Sequence, residues 1–287
     1  MKTRTRCTTF LAVIASLFPH FAALGITIDT IYREPGEPLG TFGTAGGAPS
    51  NAVGGGTLQS LVEAATSYWE SAYGDPFVLT LEVGWFPRDG ASATFRQLFQ
   101  GGTPNRTTGA AVAFDNDLSS LWYLDPTPSD NAEFSTFTTY AEDLGGGVMN
   151  TGREFTGGSG AAAELDLLSS AIHEIGHALG LARANDAFGQ EVGNGLHVSI
   201  SASLPYAGAM IPLVAESAHL DLAHAAFRTS RPDAVRRFAS EADILTNAEI
   251  SKFTAVNLTP TIPEPSISVI LSIGIAGASV RRRRVRS

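Results

Sequence analysis

The chain has 287 residues, 44% of them hydrophobic and only 16% charged, with 30 glycines, 15 prolines and a single cysteine. That length can bury a core in one large or two small domains, the apolar content excludes a disordered chain, and one Cys excludes a disulfide framework or a Cys-rich zinc module. Eight of the 19 basic residues lie at the two ends, leaving residues 26–262 with 11 against 27 acidic ones, a balance that repels nucleic acid and argues for no DNA or RNA partner.

In chain order, residues 1–25 read as a secretory signal: Lys2, Arg4 and Arg6 precede an apolar run from Phe10 to Leu24. Ala23 and Gly25 supply the small residues of a cleavage site, and Cys7 leaves with the peptide. Ile26 to Tyr32 begins as an apolar/polar alternation and predicts a short strand. Residues 35–56 are rich in Gly and Pro and predict a loop; without a Gly-Lys-Ser/Thr ending it is no phosphate cradle. Thr57 can cap a helix to about Tyr73, in which Leu58, Leu61, Val62, Ala65, Trp69 and Ala72 form a core stripe.

Phe77 to Trp85 is the clearest strand, with Ala110–Phe114 and Leu121–Leu124 as two more. The irregular stretch that follows reads as loop. Asp115, Asp117, Asp125 and Asp130 lack calcium-loop spacing and read as solvated acids, with a hard cation as the alternative. Ser240-Glu-Ala-Asp243 resembles a capping box opening a helix to about Phe253, and residues 254–262 read as a linker.

The chemistry lies between Leu165 and Leu181. Leu165, Leu168, Ile172, Ile175 and Leu179 step by three and four, predicting one apolar stripe of an amphipathic helix. His173 and His177 are one turn apart and project together, away from that stripe. Two such imidazoles can converge on one Zn²⁺, which lowers the pKa of a bound water to ~7. Glu174, about 100° round the helix, is placed to take a proton from that water without ligating the metal. Gly180 lets the chain turn after the second histidine.

His173-Glu-x-x-His177 is similar to the signature of the zincin metalloproteases. The longer run from His173 to Arg183 resembles the extended metzincin motif, but Arg183 stands where that motif has its third histidine and cannot ligate zinc. The third ligand must therefore come from further on, where His197, Glu216, His219, Asp221 and His224 are candidates. The densest cluster is Ala215–His224. His219 is favoured within it, and Glu216, Asp221 and His224 remain open.

The resemblance to exported zincins, which carry a His-x-Asp segment after the helix, supports His219, with Asp221 orienting it. Gly208-Ala-Met-Ile-Pro212 resembles the metzincin methionine turn, although Met210 precedes His219 where the family order is the reverse; a core methionine is the other reading. The resemblance also implies an extended peptide bound beside an edge strand, for which Ala110–Phe114 is the candidate. Tyr206, Tyr140, Arg183 and His224 are the candidates to stabilise an oxyanion.

At the other end, Pro263-Glu-Pro265 is followed by fifteen uncharged residues, Ser266 to Val280, and then by Arg281–Arg284 and Arg286. As a helix the uncharged stretch spans only ~22 Å, a marginal membrane span. The order of motif, apolar stretch and basic end resembles the PEP-CTERM sorting tail recognised by exosortase-type enzymes. Together these resemblances imply an α+β, zincin-like fold: a mixed sheet, an active-site helix and a less regular C-terminal part. The expected organisation is a signal peptide at 1–25, a metalloprotease domain at 26–258, and a linker and membrane tail at 259–287. The expected activity is a zinc-dependent endopeptidase at the surface of, or outside, a Gram-negative cell. Its partners would be protein or peptide substrates, a sorting enzyme and the membrane. An inactive matrix protein with a structural metal and a zinc hydrolase of a non-peptide substrate are the alternatives.

Overall fold

A computed structural model describes residues 25–262 except 194. Apart from Gly25 and residues 259–262, the export signal and sorting tail expected at the ends lie outside the described residues. Among those residues no helix is long and apolar enough to cross a membrane.

The first half consists of β1 (Ile26–Tyr32), the short pair β2 (Pro38–Leu39) and β3 (Gly43–Thr44), α1 (Leu58–Ala72), β4 (Phe77–Trp85), β5 (Ala93–Gly101) and β6 (Arg106–Phe114). Then come β7 (Trp122–Tyr123), β8 (Thr136–Asp143), β9 (Val148–Thr156), β10 (Leu165–Asp166) and α2 (Leu167–Leu179). The last part holds α3 (Asp186–Val192), β11 (His197–Ser199), β12 (Met210–Pro212), β13 (Val235–Phe238) and α4 (Glu241–Ser251). The fold is a mixed α and β architecture with several small sheets, as the α+β expectation required.

Two sheets position the helices. In the first, ordered β1-β4-β6-β5, the first three strands run parallel and β5 runs antiparallel along the edge. In the second, β9 lies between β13 and β8, all antiparallel. The predicted strand at Ala110–Phe114 is real but extends back to Arg106 and is interior, so it is not the open edge that peptide recognition needs. The edge strand beside it is β5, whose mixed sequence Ala-Thr-Phe-Arg-Gln-Leu-Phe-Gln-Gly has no clean alternation and a bulge between Gln97 and Phe99. Strands β8 and β9 were also illegible as strands: β8 is mostly exposed and polar, and β9 mixes buried and half-buried residues without a clean apolar alternation.

Local signals hold at the helix starts. Thr57 caps α1 through a reciprocal box with Ser60, and Ser240 caps α4 through one with Asp243. Asp166 caps α2 by accepting from Ser169 N (2.9 Å). One expectation fails at α2: all 13 of its residues are buried, not a single stripe. The 3.6-residue period marks the face that meets the sheet, but α1, α4 and the segment around Phe227 close over the rest. Trp69 Nε1 of α1 donates to Ile172 O (2.9 Å), while Asn247 of α4 bridges Gly176 O (3.0 Å) and Leu181 N (2.9 Å). Residues 254–261 run along α1, with Asn257 N donating to Ala72 O (2.8 Å) and Ser71 Oγ to Thr261 O (3.2 Å).

The expected solvated acids divide. Asp115 and Asp125 are buried, whereas Asp117 and Asp130 are not. Asp115 accepts Arg88 N (2.8 Å) and Asp117 N (3.1 Å), fixing a loop. Asp125 meets Arg236 Nη2 at 2.6 Å, and the same guanidinium bonds both oxygens of Asp166 (2.9 and 3.2 Å). A buried arginine thus compensates two carboxylates, where a cation was the alternative.

Candidate metal centre

His173, His177 and His219 are brought together, with one ring nitrogen of each lying within 4.8 Å of the other two. The first two follow from the helix turn. The third arrives on the loop between β12 and β13, which tertiary packing folds over the helix. Nε2 of His173 and Nε2 of His177 are 3.0 Å apart, close to the ~3.3 Å that two ligands of one tetrahedral metal ion would show.

Each ring is held by its other nitrogen. His173 Nδ1 donates to Ala226 O (2.7 Å) and His177 Nδ1 to Leu181 O (2.5 Å). Carbonyls only accept, so these two rings carry the proton on Nδ1 and present an Nε2 lone pair to the shared point. His219 Nδ1 lies 2.6 Å from Ser217 Oγ. Two lone pairs facing each other at 3.0 Å repel unless a cation lies between them, so the donor set fits a metal ion.

The support reaches back to α4. Asp243, buried at its capping position, accepts Ala226 N (3.1 Å) and Phe227 N (3.0 Å), which fixes the carbonyl that orients His173. Phe227 lies beneath the centre, its ring centroid 5.9 Å from that of His173 and 5.7 Å from that of His177. A Cβ on Gly176 would come within 2.1 Å of this ring, which is why the helix carries glycine there. Met210, read as a family turn or as core, is neither: it sits on β12 with half its surface exposed. The residue under the histidines, downstream of the third one, is Phe227.

Burial makes all three imidazoles poor bases. His173 is held well below the usual histidine range, and His177 and His219 are lowered to about 4, in each case chiefly by loss of hydration. Neutral rings are what a metal requires. This has a consequence for the metal-free protein. Between the ordinary value of 6.5 and about 4, the unfolded chain binds protons that the folded one refuses, so folding stability falls as pH falls through that window. Chelator-stripped protein is expected to melt at lower temperature at pH 5 than at pH 7. An equal or higher melting temperature at pH 5 would contradict buried neutral rings.

Glu174 is buried at 4% exposure beside the histidines. Desolvation raises its pKa, opposed first by the positive charge of Arg231 and then by the Phe95 backbone N–H that faces it. Arg231 Nη1 is 3.7 Å from Glu174 Oε1, and its Nη2 donates to Ser92 Oγ (3.1 Å). No motif announced Arg231, because it comes from the irregular segment before β13. Phe95 was equally hidden, lying on the strand that the sequence pattern did not reveal.

A cleft of about 630 Å³ opens over the three histidines and Glu174, walled by Ala93–Gln97 of β5 on one side and by Ala182–Ala184 and Glu216–Ala218 on the other. Asp115 N donates to Ser92 O (2.8 Å), which sets the ladder phase: Thr94 and Arg96 bond inward to β6, while the backbones of Ala93, Phe95 and Gln97 face the free edge.

The other downstream candidates stand apart from the metal point. Glu216 pairs with Arg183 across the cleft rim (2.9 Å). Asp221 is exposed and does not orient His219; Ser217 does. His224 stacks on Tyr140 with centroids 3.4 Å apart and faces Glu154 (3.1 Å), and His197 pairs in β11 with Pro212. Of the four oxyanion candidates Arg183 alone lines the cleft; Tyr206 donates to Glu241 (2.8 Å). Comparison with known protein families, curated proteins and solved structures gives no match to this chain.

Proposed function

We propose that this protein is an exported, zinc-dependent endopeptidase of zincin-like fold. One observation carries the reading: a third histidine, distant in sequence, meets the pair on α2 in a cleft where a buried carboxylate has no metal to ligate. A purely structural metal has no use for Glu174 beside an open groove, whereas hydrolysis has. The proposed location outside the cytoplasmic membrane rests on the signal-like start and the PEP-CTERM-like end of the sequence.

His173, His177 and His219, which line the cleft, would hold Zn²⁺. The metal would supply Lewis acidity, polarising the substrate carbonyl and acidifying water. Glu174 takes the proton of the attacking water and hands it to the leaving amine as the peptide bond breaks. Arg231, 3.7 Å from that carboxylate, opposes the desolvation that raises its pKa and so favours the ionised form that accepts the proton. A peptide in extended form adds to the free edge of β5, so its backbone is fixed irrespective of sequence. The walls of the cleft exclude bulk water from the carboxylate, which strengthens its hydrogen bonding to substrate.

Metal analysis tests the ligand set. Purified protein is expected to retain about one zinc per chain, and its hydrolysis of casein should stop with 1,10-phenanthroline and return with added zinc. His219→Ala should drop occupancy well below one, because two imidazoles alone bind far more weakly, while Asp221→Ala leaves it unchanged. Full occupancy in His219→Ala, or loss in Asp221→Ala, would displace His219 as the third ligand.

A further inference from the structure

We propose that Arg88 and Arg96 form a subsite that takes the carboxylate of an Asp or Glu side chain in an extended peptide substrate, close to the scissile bond. The inference rests on the peptide orientation of the proposed function and deepens it.

Arg96 lines the cleft on β5, one residue from Phe95, whose N–H faces Glu174. Its guanidinium lies 4.3 Å from the centre of the Phe42 ring, and that of Arg88 lies 5.2 Å from the same centre. Phe42 is held by Phe86 (5.8 Å) on the turn between β2 and β3. Both arginines are positioned by neutral acceptors: Arg96 Nη1 donates to Thr41 O (2.6 Å), and Arg88 Nε donates to Thr94 Oγ1 (3.2 Å). Asp115 fixes the Arg88 backbone through its N–H. Among the described residues, no carboxylate comes within ion-pair distance of either guanidinium, although Arg33, Arg183, Arg231, Arg236 and Arg237 each have one.

In a body with 27 acidic side chains against 11 basic ones, two guanidinia share one aromatic ring beside a cleft; neither makes an ion pair and only Arg88 feels the field of Glu174, so they leave a positive potential that an incoming anion neutralises. The opposite rim is already neutral, because Arg183 and Glu216 pair there. Strand geometry chooses the ligand. Thr94 and Arg96 point to the same face of β5, and a peptide paired to the free edge projects every second side chain to that face, directly opposite or diagonal to them. An Asp or Glu at such a position, within about two residues of the scissile bond, reaches a planar fork suited to a carboxylate.

Binding to the full-length, zinc-loaded Glu174→Gln protein tests this without turnover. The probes are two labelled dodecapeptides, one alternating Ala and Asp and the other Ala and Asn, followed by fluorescence anisotropy. The Asp peptide is expected to bind about tenfold more tightly. The preference should collapse in the Arg88→Gln/Arg96→Gln double variant and largely survive in Arg96→Lys, which keeps the charge should the double variant fold poorly. Equal affinities, no binding of either peptide, or a preference indifferent to both variants overturns the subsite. Casein cleavage without acidic preference overturns the subsite alone. An Asp preference that depends on both arginines, in wild-type protein that neither holds zinc nor cleaves casein, leaves the subsite standing and removes the peptidase reading.

Discussion

Glu174→Gln is expected to keep about one zinc per chain and to lose casein hydrolysis by about 10²–10⁴-fold, the usual contribution of a positioned acid–base group. The amide is the same size, still faces the Phe95 N–H, and leaves the three histidines with their carbonyl and hydroxyl partners. It cannot receive a proton. The same substitution abolishes the ion pair with Arg231, so a small loss of stability accompanies the loss of turnover, measured as a shift in melting temperature. Undiminished hydrolysis would take Glu174 out of the mechanism. Wild-type protein that holds zinc and cleaves neither casein nor other amides would instead match the matrix-protein alternative.

Arg236→Ala carries the largest expected cost in stability. Its side chain is fully buried and compensates Asp125 and Asp166 at once, while its Nη1 donates to Asp130 O (3.1 Å) and Asn131 Oδ1 (3.2 Å). Removing it strands two carboxylates without water or counter-charge, which costs about 3–5 kcal/mol. For a domain of this size that lowers the melting temperature by about 10 °C. Asp166 is also the cap of α2, so under the proposed zinc site the metal should dissociate faster from the variant as the start of the helix that carries His173 and His177 loosens. A melting temperature within about 2 °C of wild type would mean that the site relaxes to hydrate the acids, and that the pair does not hold the helix.

What could be read in the sequence follows from the range of the interactions involved. The boundaries of α1, β4 and α4 were legible because capping hydroxyls, strand propensity and 3.6-residue spacing act within a few neighbours. His173, Glu174 and His177 were legible for the same reason, since one helical turn determines their mutual placement. Strand β5 was not, because an edge strand with one face toward a cleft and a bulge in its middle shows no alternation. Arg231 was not, because a lone arginine in an irregular segment has meaning only through the carboxylate it packs against. The metzincin-style reading of Met210 failed because the phenyl ring of Phe227, not a thioether, lies beneath the histidines.

By itself the sequence determined a helix presenting two imidazoles and a carboxylate, and it narrowed the third ligand to a short list headed by His219. Only tertiary structure set which member of that list lies beside the pair. Folding the loop between β12 and β13 across α2 brought His219 to the shared point, turned Glu216 to Arg183, and left Asp221 in solvent. The physical reason is that local periodicity specifies direction along one element. Convergence of groups some 40 residues apart depends on which surfaces bury each other, and in this protein those are α4, the Ala226–Phe227 turn and the all-round burial of α2.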